Sequence, residues 1–101
     1  MHIPPFDNAN APIVRANDPR LPLVYFNIVK LAKGERFESR VEGYESCIVP
    51  ATGTVEVLVD DAAFTGVGGR GRDVWDGEPE GVYVPTGIPA QIVCMSDRAE
   101  V

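Results

Sequence analysis

The sequence predicts an all-β domain, either a sandwich or a barrel of short strands, and three observations support this prediction. Ten glycines and nine prolines interrupt the 101 residues so often that long helices are disfavoured. Residues 54–60 alternate in polarity, with Val55, Val57 and Val59 on one face, which is the pattern of a half-exposed strand. Turn residues recur between the apolar segments at nearly regular spacing, as they do in sandwiches and barrels.

The individual elements are predicted in chain order from local composition. Residues 1–20 contain four prolines and are predicted to form an extended N-terminal arm, whereas residues 21–101 form one domain. Residues 23–31 are rich in β-branched and aromatic side chains, so this strand is expected to be buried on both faces for part of its length. The glycine-rich residues 66–71 are predicted to be a flexible loop. The predicted strands are residues 23–31, 44–49, 54–60, 62–65, 74–75, 81–84 and 90–95.

Composition and charge narrow the possible partners and location. A hydrophobic content of 45% and a charged content of 24% are typical of a soluble globular protein. The net charge of −6 would repel a polyanion on average, so nucleic acid is not expected as a partner. The first residues lack the basic and apolar regions of a signal peptide, and residues 21–32 are too short for a membrane helix. We therefore expect a cytoplasmic protein that does not bind a membrane.

The cysteines and aromatic residues are predicted to be mainly buried. Cys47 and Cys94 lie in apolar, strand-like segments and are expected to be reduced core thiols, because free cysteine is often buried. A disulfide and a thiol nucleophile are the alternatives, although the only histidine, His2, lies in the N-terminal arm. Core or interface positions are also expected for the aromatic residues Tyr25, Phe26, Tyr44, Trp75 and Tyr83.

The glycine-rich segment at residues 66–71 has only a superficial likeness to a phosphate-binding loop. Such loops begin a helix whose N-terminus faces the anion, and the residues after this segment cannot continue a helix. Arg70 and Arg72 are capable of binding a carboxylate or phosphate. The simpler expectation is that they pair with the acidic side chains of residues 73–78.

One segment has the spacing of the first cupin motif without its metal ligands. That motif reads Gly, five residues, His-x-His, three or four residues, Glu, six residues, Gly. The corresponding residues here are Gly34, then Arg40 and Glu42, then Ser46, then Gly53. Imidazole and carboxylate groups bind divalent ions, whereas the guanidinium of Arg40 would repel them.

A second segment resembles the other cupin motif, which reads Pro-x-Gly, two residues, His, three residues, Asn. Residues 85–87 supply the Pro-x-Gly, and Ala90 and Cys94 follow where the ligand histidine and the asparagine are found. The resemblance implies a cupin-type double-stranded β-helix, that is, a jelly-roll barrel. With most of the ligands replaced, we predict no metal, no cofactor and no catalytic residue in this chain.

Several segments have amino-acid sequences that resemble those of one cupin subgroup, the 5-deoxy-glucuronate isomerase family of inositol catabolism. This family is related to the uronate isomerases. The resemblance covers roughly residues 22–95. It implies a bicupin with two tandem barrels, in which the C-terminal barrel holds the metal and catalytic residues and this chain matches the N-terminal barrel. The implied activity is an aldose–ketose isomerisation of a deoxy-uronate, a proton transfer assisted by a metal. The matching segments are residues 26–31, 34–35, 44–49, 52–53, 68–77 and 82–85.

Two main hypotheses about function follow. In the first, the chain is the non-catalytic N-terminal half of a sugar-acid isomerase. In the second, it is a stand-alone, metal-free cupin that binds a small acidic sugar or serves as a dimerisation module. A weaker third hypothesis is a metal site with the unusual ligands Glu42, Glu45 and Cys94. The candidate ligand pocket of the second hypothesis consists of Arg40, Glu42, Tyr44, Glu45, Ser46 and Tyr83.

Arg40 has two possible roles in such a domain. It would anchor the carboxylate of a ligand inside the barrel. Alternatively, it pairs with Glu42 or Glu45 and fills the barrel. The proline-rich arm at residues 1–20 is expected to pair with a neighbouring subunit and cover a sheet edge, so a homodimer is expected.

Overall fold

The computed structural model describes residues 1–101, and all of its regular secondary structure is β-strand, so the all-β prediction is confirmed. No helix in it has the length and apolarity needed to cross a membrane. The eight strands are β1 (Lys30–Ala32), β2 (Arg36–Ser39), β3 (Ser46–Ile48), β4 (Gly53–Val59), β5 (Ala62–Arg70), β6 (Val82–Val84), β7 (Ala90–Cys94) and β8 (Arg98–Glu100).

The strands form three antiparallel sheets. The largest has the order β2-β7-β4-β5, and the other two pair β1 with β8 and β3 with β6. Every pairing is antiparallel. Only β4 and β5 are joined by a tight turn, and the other pairings join strands that are far apart in the sequence. The sheets do not close into a barrel. The structure therefore supports the all-β class but not the finer prediction of a cupin jelly roll, which stays a prediction.

Strand β4 lies at the centre of the hydrophobic core. Val55, Val57 and Val59 are all buried, which confirms the face predicted from the alternation. Pairing with β7 places Val55 opposite Cys94 and Val57 opposite Ile92. The core is a cluster of 13 buried residues drawn from all three sheets. Burial of this shared apolar surface therefore holds the sheets together as one unit.

Strand β5 continues through the glycine-rich segment, so the prediction of a flexible loop at residues 66–71 is wrong. It pairs with β4 as far as Arg70, which lies opposite Gly53. Gly68 has a φ of 101°, and a Cβ added there would lie 2.6 Å from the carbonyl oxygen of Gly53 and 2.9 Å from Cβ of Pro50. The missing side chain therefore permits a close approach between two backbone segments.

Only the end of the predicted strand at residues 23–31 is a strand. The preceding part makes a single bridge, between Phe26 and Val14, and Leu23 is 89% exposed. A strand needs a neighbouring backbone edge for its hydrogen bonds, and an apolar composition does not provide one. The expectation of burial on both faces is wrong for the first part of this segment.

Residues 71–81 form an exposed loop between β5 and β6, in place of the short strand predicted there. Asp73 Oδ1 accepts a hydrogen bond of 2.8 Å from the Trp75 N–H, and Asp76 Oδ2 accepts one of 2.7 Å from the Arg72 N–H. These contacts turn the loop back on itself. Trp75 is 89% exposed, so the expected core position is wrong within this chain.

The N-terminal arm packs along the segment that precedes β1. Asn8 is buried, and its Nδ2 donates 2.9 Å hydrogen bonds to Asn27 Oδ1 and to the carbonyl oxygen of Ile28. Asn10 Oδ1 accepts a 2.8 Å hydrogen bond from the Lys30 N–H. Asparagine side chains thus add to the single Val14–Phe26 bridge in holding the arm against this segment.

Candidate functional site

An open, mostly apolar cleft of about 510 Å³ lies where β2, β3 and β7 meet the segment at residues 23–29. Twelve of its 16 lining residues are hydrophobic. Buried core residues such as Ile48 and Ile92 form its floor, and exposed residues such as Leu23 and Val49 form its rim. Leu23 and the rim residues that follow it lie in the segment predicted to be a buried strand, so they were not predicted as part of a site, although an apolar run is typical of buried or ligand-facing surface.

The predicted pocket residues are divided between the two faces of β3. Tyr44 and Ser46 line the cleft and are half-buried, like the neighbouring buried Ile48. Glu45 and Cys47 also border the cleft, but both residues are exposed. Because successive side chains of a strand point to opposite faces, Ser46 and Ile48 of β3 face the cleft, and Cys47 between them faces away from it.

Tyr83 lies on the outer face of β6, directly opposite Cys47 in the β3–β6 pairing. Its O–H donates a 2.7 Å hydrogen bond to Glu45 Oε2. This bond raises the pKa of Tyr83, because ionisation would remove the donated proton and place a second negative charge beside the carboxylate. Two predicted pocket residues therefore do meet, but on the face opposite the cleft.

Arg40 and Glu42 lie outside the cleft lining. Arg40 Nε and Glu42 Oε1 form an ion pair of 3.1 Å, with 55% of the arginine side chain exposed. The expected pairing of Arg40 with Glu42 is therefore present. Its expected location in the interior is wrong, because both charged groups remain at the surface, where hydration is retained.

Two polar side chains of the cleft already have hydrogen-bond partners. The Tyr44 hydroxyl donates to the carbonyl oxygen of Pro22 at 2.7 Å and accepts from the Asn17 N–H at 3.0 Å. Asn27 Oδ1 accepts from the Asn8 amide, and its own amide donates to the backbone of the N-terminal arm. These contacts hold the rim segment and the arm in place beside β3.

The residues considered as unusual metal ligands are not brought together. No group of three His, Cys, Asp or Glu side chains is arranged to hold a metal ion. Cys94 is 1% exposed, and its Sγ donates to the carbonyl oxygen of Ser96 at 3.2 Å, whereas Glu42 and Glu45 are exposed. Cys94 is the predicted core thiol, but the same prediction for Cys47 is wrong, and neither cysteine forms a disulfide.

Arg70 is a structural residue and not a surface anion site. Its side chain is buried, and it donates hydrogen bonds to the carbonyl oxygens of Pro50 at 2.8 Å and Val74 at 3.1 Å. Neither Arg70 nor Arg72 forms a salt bridge, so the expected pairing with the acidic side chains that follow is wrong. The loop carboxylates accept backbone N–H groups instead, and Arg70 ties the loop to the turn before β4.

Comparison with known proteins identifies relatives of this chain and the family to which it belongs. It is 28% identical over 85 residues to the 5-deoxy-glucuronate isomerases of Bacillus subtilis subsp. natto and Bacillus subtilis (strain 168). The match includes 83% of this chain but only 31% of each relative, so the chain spans about a third of their length. No solved structure matches. The sequence model of the KduI/IolB family matches residues 2–101, and the chain therefore belongs to that family.

Proposed function

We propose that this chain is a non-catalytic cupin domain, equivalent to the N-terminal half of a bicupin, which supports a metal-bearing half in a sugar-acid isomerase of its family. The observation that carries this proposal is the identity of the residues at the cupin ligand positions. Arg40 places a guanidinium at the surface in an ion pair with Glu42, and Ala90 places a buried methyl group in β7. Neither group has the lone pair that a divalent ion requires.

The chemistry of the reaction supports the same assignment. An aldose–ketose isomerisation moves a proton between adjacent carbons and builds negative charge on oxygen, which a metal ion stabilises. The proposed division of labour leaves that chemistry to another domain. This domain would then contribute by packing against the metal-bearing half and positioning it. The name of the curated relatives suggests the substrate class, a 5-deoxy-glucuronate.

The first experiment measures metal content and isomerase activity of the purified chain. We expect less than stoichiometric transition metal and no turnover of a deoxy-uronate. In a second experiment, the matched segment of a Bacillus subtilis relative is replaced by this chain, with a relative lacking the segment as the control. We expect the chimaera, but not the shortened relative, to isomerise the substrate. Turnover by this chain alone, or one tightly bound metal ion per chain, would contradict the proposal.

A stand-alone domain that binds a small acidic sugar remains the alternative proposal. Its predicted anchor, Arg40, lies at the surface outside the cleft, and no basic residue lines the cleft itself. We also propose that the domain forms a homodimer, since exposed apolar side chains outside the cleft, such as Phe6 and Trp75, would lose contact with water in an interface. Light scattering that gives the mass of a monomer at all concentrations would contradict the dimer.

A further inference from the structure

The cleft has the size and the apolar floor of a small-molecule site. Ligand sites typically have volumes of roughly 300–1,000 Å³ and walls that are mainly apolar, with a few polar groups. The volume here is about 510 Å³, and the apolar surface includes the half-buried Phe37 together with the buried Ile48 and Ile92. A ring-sized apolar group would therefore exchange water for contact with core residues.

The hydrogen-bonding groups that remain free in the cleft are two hydroxyls. Tyr44 and Asn27 use their polar atoms to hold the rim and the arm. Ser39 on β2 and Ser46 on β3 line the cleft and are half-buried, and neither hydroxyl forms a hydrogen bond within the chain. Each serine hydroxyl can donate one hydrogen bond and accept others, so a ligand with a hydroxyl or carbonyl group would satisfy them.

The cleft offers no counter-ion to a charged ligand. None of its lining residues is basic, and Glu45, the only acidic one, holds the Tyr83 hydroxyl on the opposite face of β3. Moving a carboxylate or an ammonium group out of water without a partner is unfavourable. The site therefore discriminates by charge, and it disfavours the anionic class of ligand predicted from Arg40.

We propose that this cleft binds an uncharged small molecule with an apolar, ring-sized body and a hydroxyl or carbonyl group, which hydrogen-bonds to Ser39 and Ser46. The proposal goes beyond the supporting role in the isomerase, because it concerns a separate ligand held by this domain alone. It does not depend on metal content or turnover, so either idea can fail without the other.

Three probes with a common phenyl body test the charge preference by two-dimensional NMR of the whole chain. The probes are 2-phenylethanol, 2-phenylethylammonium and 3-phenylpropanoate. We expect 2-phenylethanol to shift the amide signals of Ser39, Ser46 and Ile92, and the two charged probes to bind at least about fivefold more weakly because a charge is poorly tolerated away from water. Equal or tighter binding of either charged probe would overturn the proposal.

Variants then locate the site. Ser46→Ala should weaken 2-phenylethanol binding about two- to tenfold through the loss of one hydrogen bond. Ser46→Leu should abolish it, because the larger apolar side chain would occupy the position of the ligand's polar group. Thr65→Val is the matched control, because Thr65 is exposed on β5, outside the cleft. The amide signals of the cleft residues and the affinity for 2-phenylethanol should be unchanged in this variant. Three outcomes would refute the site. The first is binding of the probe that survives Ser46→Leu in a folded variant, and the second is no shift of the cleft signals up to the solubility limit of the probe. The third is concentration-dependent broadening of the cleft signals without a probe.

Discussion

Two adjacent glycines in β5 allow a direct test of the close approach between β5 and the turn before β4. Gly68 and Gly69 both have strongly positive φ angles, 101° and 111°. A Cβ at Gly69 would meet nothing within 4 Å, whereas a Cβ at Gly68 would lie 2.6 Å from a backbone oxygen and 2.9 Å from Pro50. The pair therefore separates the cost of backbone conformation from the cost of crowding.

The expected magnitudes follow from these contacts. A side chain held at such a φ costs about 1–3 kcal/mol, and this applies to both positions. At Gly68 the crowded atoms include backbone, so the strand must shift, which adds about 1–3 kcal/mol by analogy with overpacking of a core. We therefore expect a loss in the free energy of unfolding of about 1–3 kcal/mol for Gly69→Ala and about 2–6 kcal/mol for Gly68→Ala.

Urea unfolding followed by circular dichroism measures both values. Circular dichroism is preferred to fluorescence because the single tryptophan, Trp75, is exposed and a poor reporter of the core. Failure of Gly68→Ala to fold, with Gly69→Ala folded, agrees with the reasoning. Losses that are equal within about 0.5 kcal/mol, a spread typical of non-interacting substitutions, would refute it, because the crowding at Gly68 would then add nothing to the cost of the backbone conformation.

Three further predictions concern the core, the outer face of β3 and the surface arginine. Val57→Ala should lower the free energy of unfolding by about 2–3 kcal/mol, since Val57 is completely buried, and Val49→Ala, at an exposed position, should change it by less than about 1 kcal/mol in the same urea titration. Glu45→Gln should lower the pKa of Tyr83 toward its ordinary value of 10.0 in an absorbance titration. The folded-state pKa is raised, so the stability contributed by this bond is present below pH 10.0 and is lost as the pH rises through the raised pKa; an unchanged titration would contradict this. If the domain binds a uronate through Arg40, calorimetry should show that Arg40→Ala abolishes binding, and undiminished binding would remove that site.

Strand prediction succeeded where apolar side chains alternated over a long run and failed for a short strand made mostly of polar residues. The valines of β4 identified both a strand and its buried face. In β2, by contrast, the half-buried Phe37 and Ser39 alternate with exposed Arg36 and Glu38, and this four-residue strand was not predicted. This strand forms because its backbone is hydrogen-bonded to β7, and the composition of its four residues does not predict that pairing.

The candidate site was only partly predictable, because residues that are adjacent in a motif can lie on different faces. The segment with the cupin spacing contains Tyr44 and Ser46, which line the cleft. It also grouped them with Glu45, which lies on the opposite face, and with Arg40, which stays at the surface. A one-residue step along a strand reverses the direction of a side chain, and a motif in one dimension does not record this.

The amino-acid sequence by itself determined the all-β class, the buried face of β4 and membership of the KduI/IolB family, because alternation and motif spacing are local properties of the chain. Only the tertiary structure decided that the glycine-rich residues 66–70 belong to a strand and that the apolar residues 23–29 border an open cleft. Both outcomes depend on whether a distant backbone edge is available for hydrogen bonding. β4 provides that edge for the glycines of β5, whereas residues 23–29 find only isolated partners and leave their apolar side chains beside the cleft.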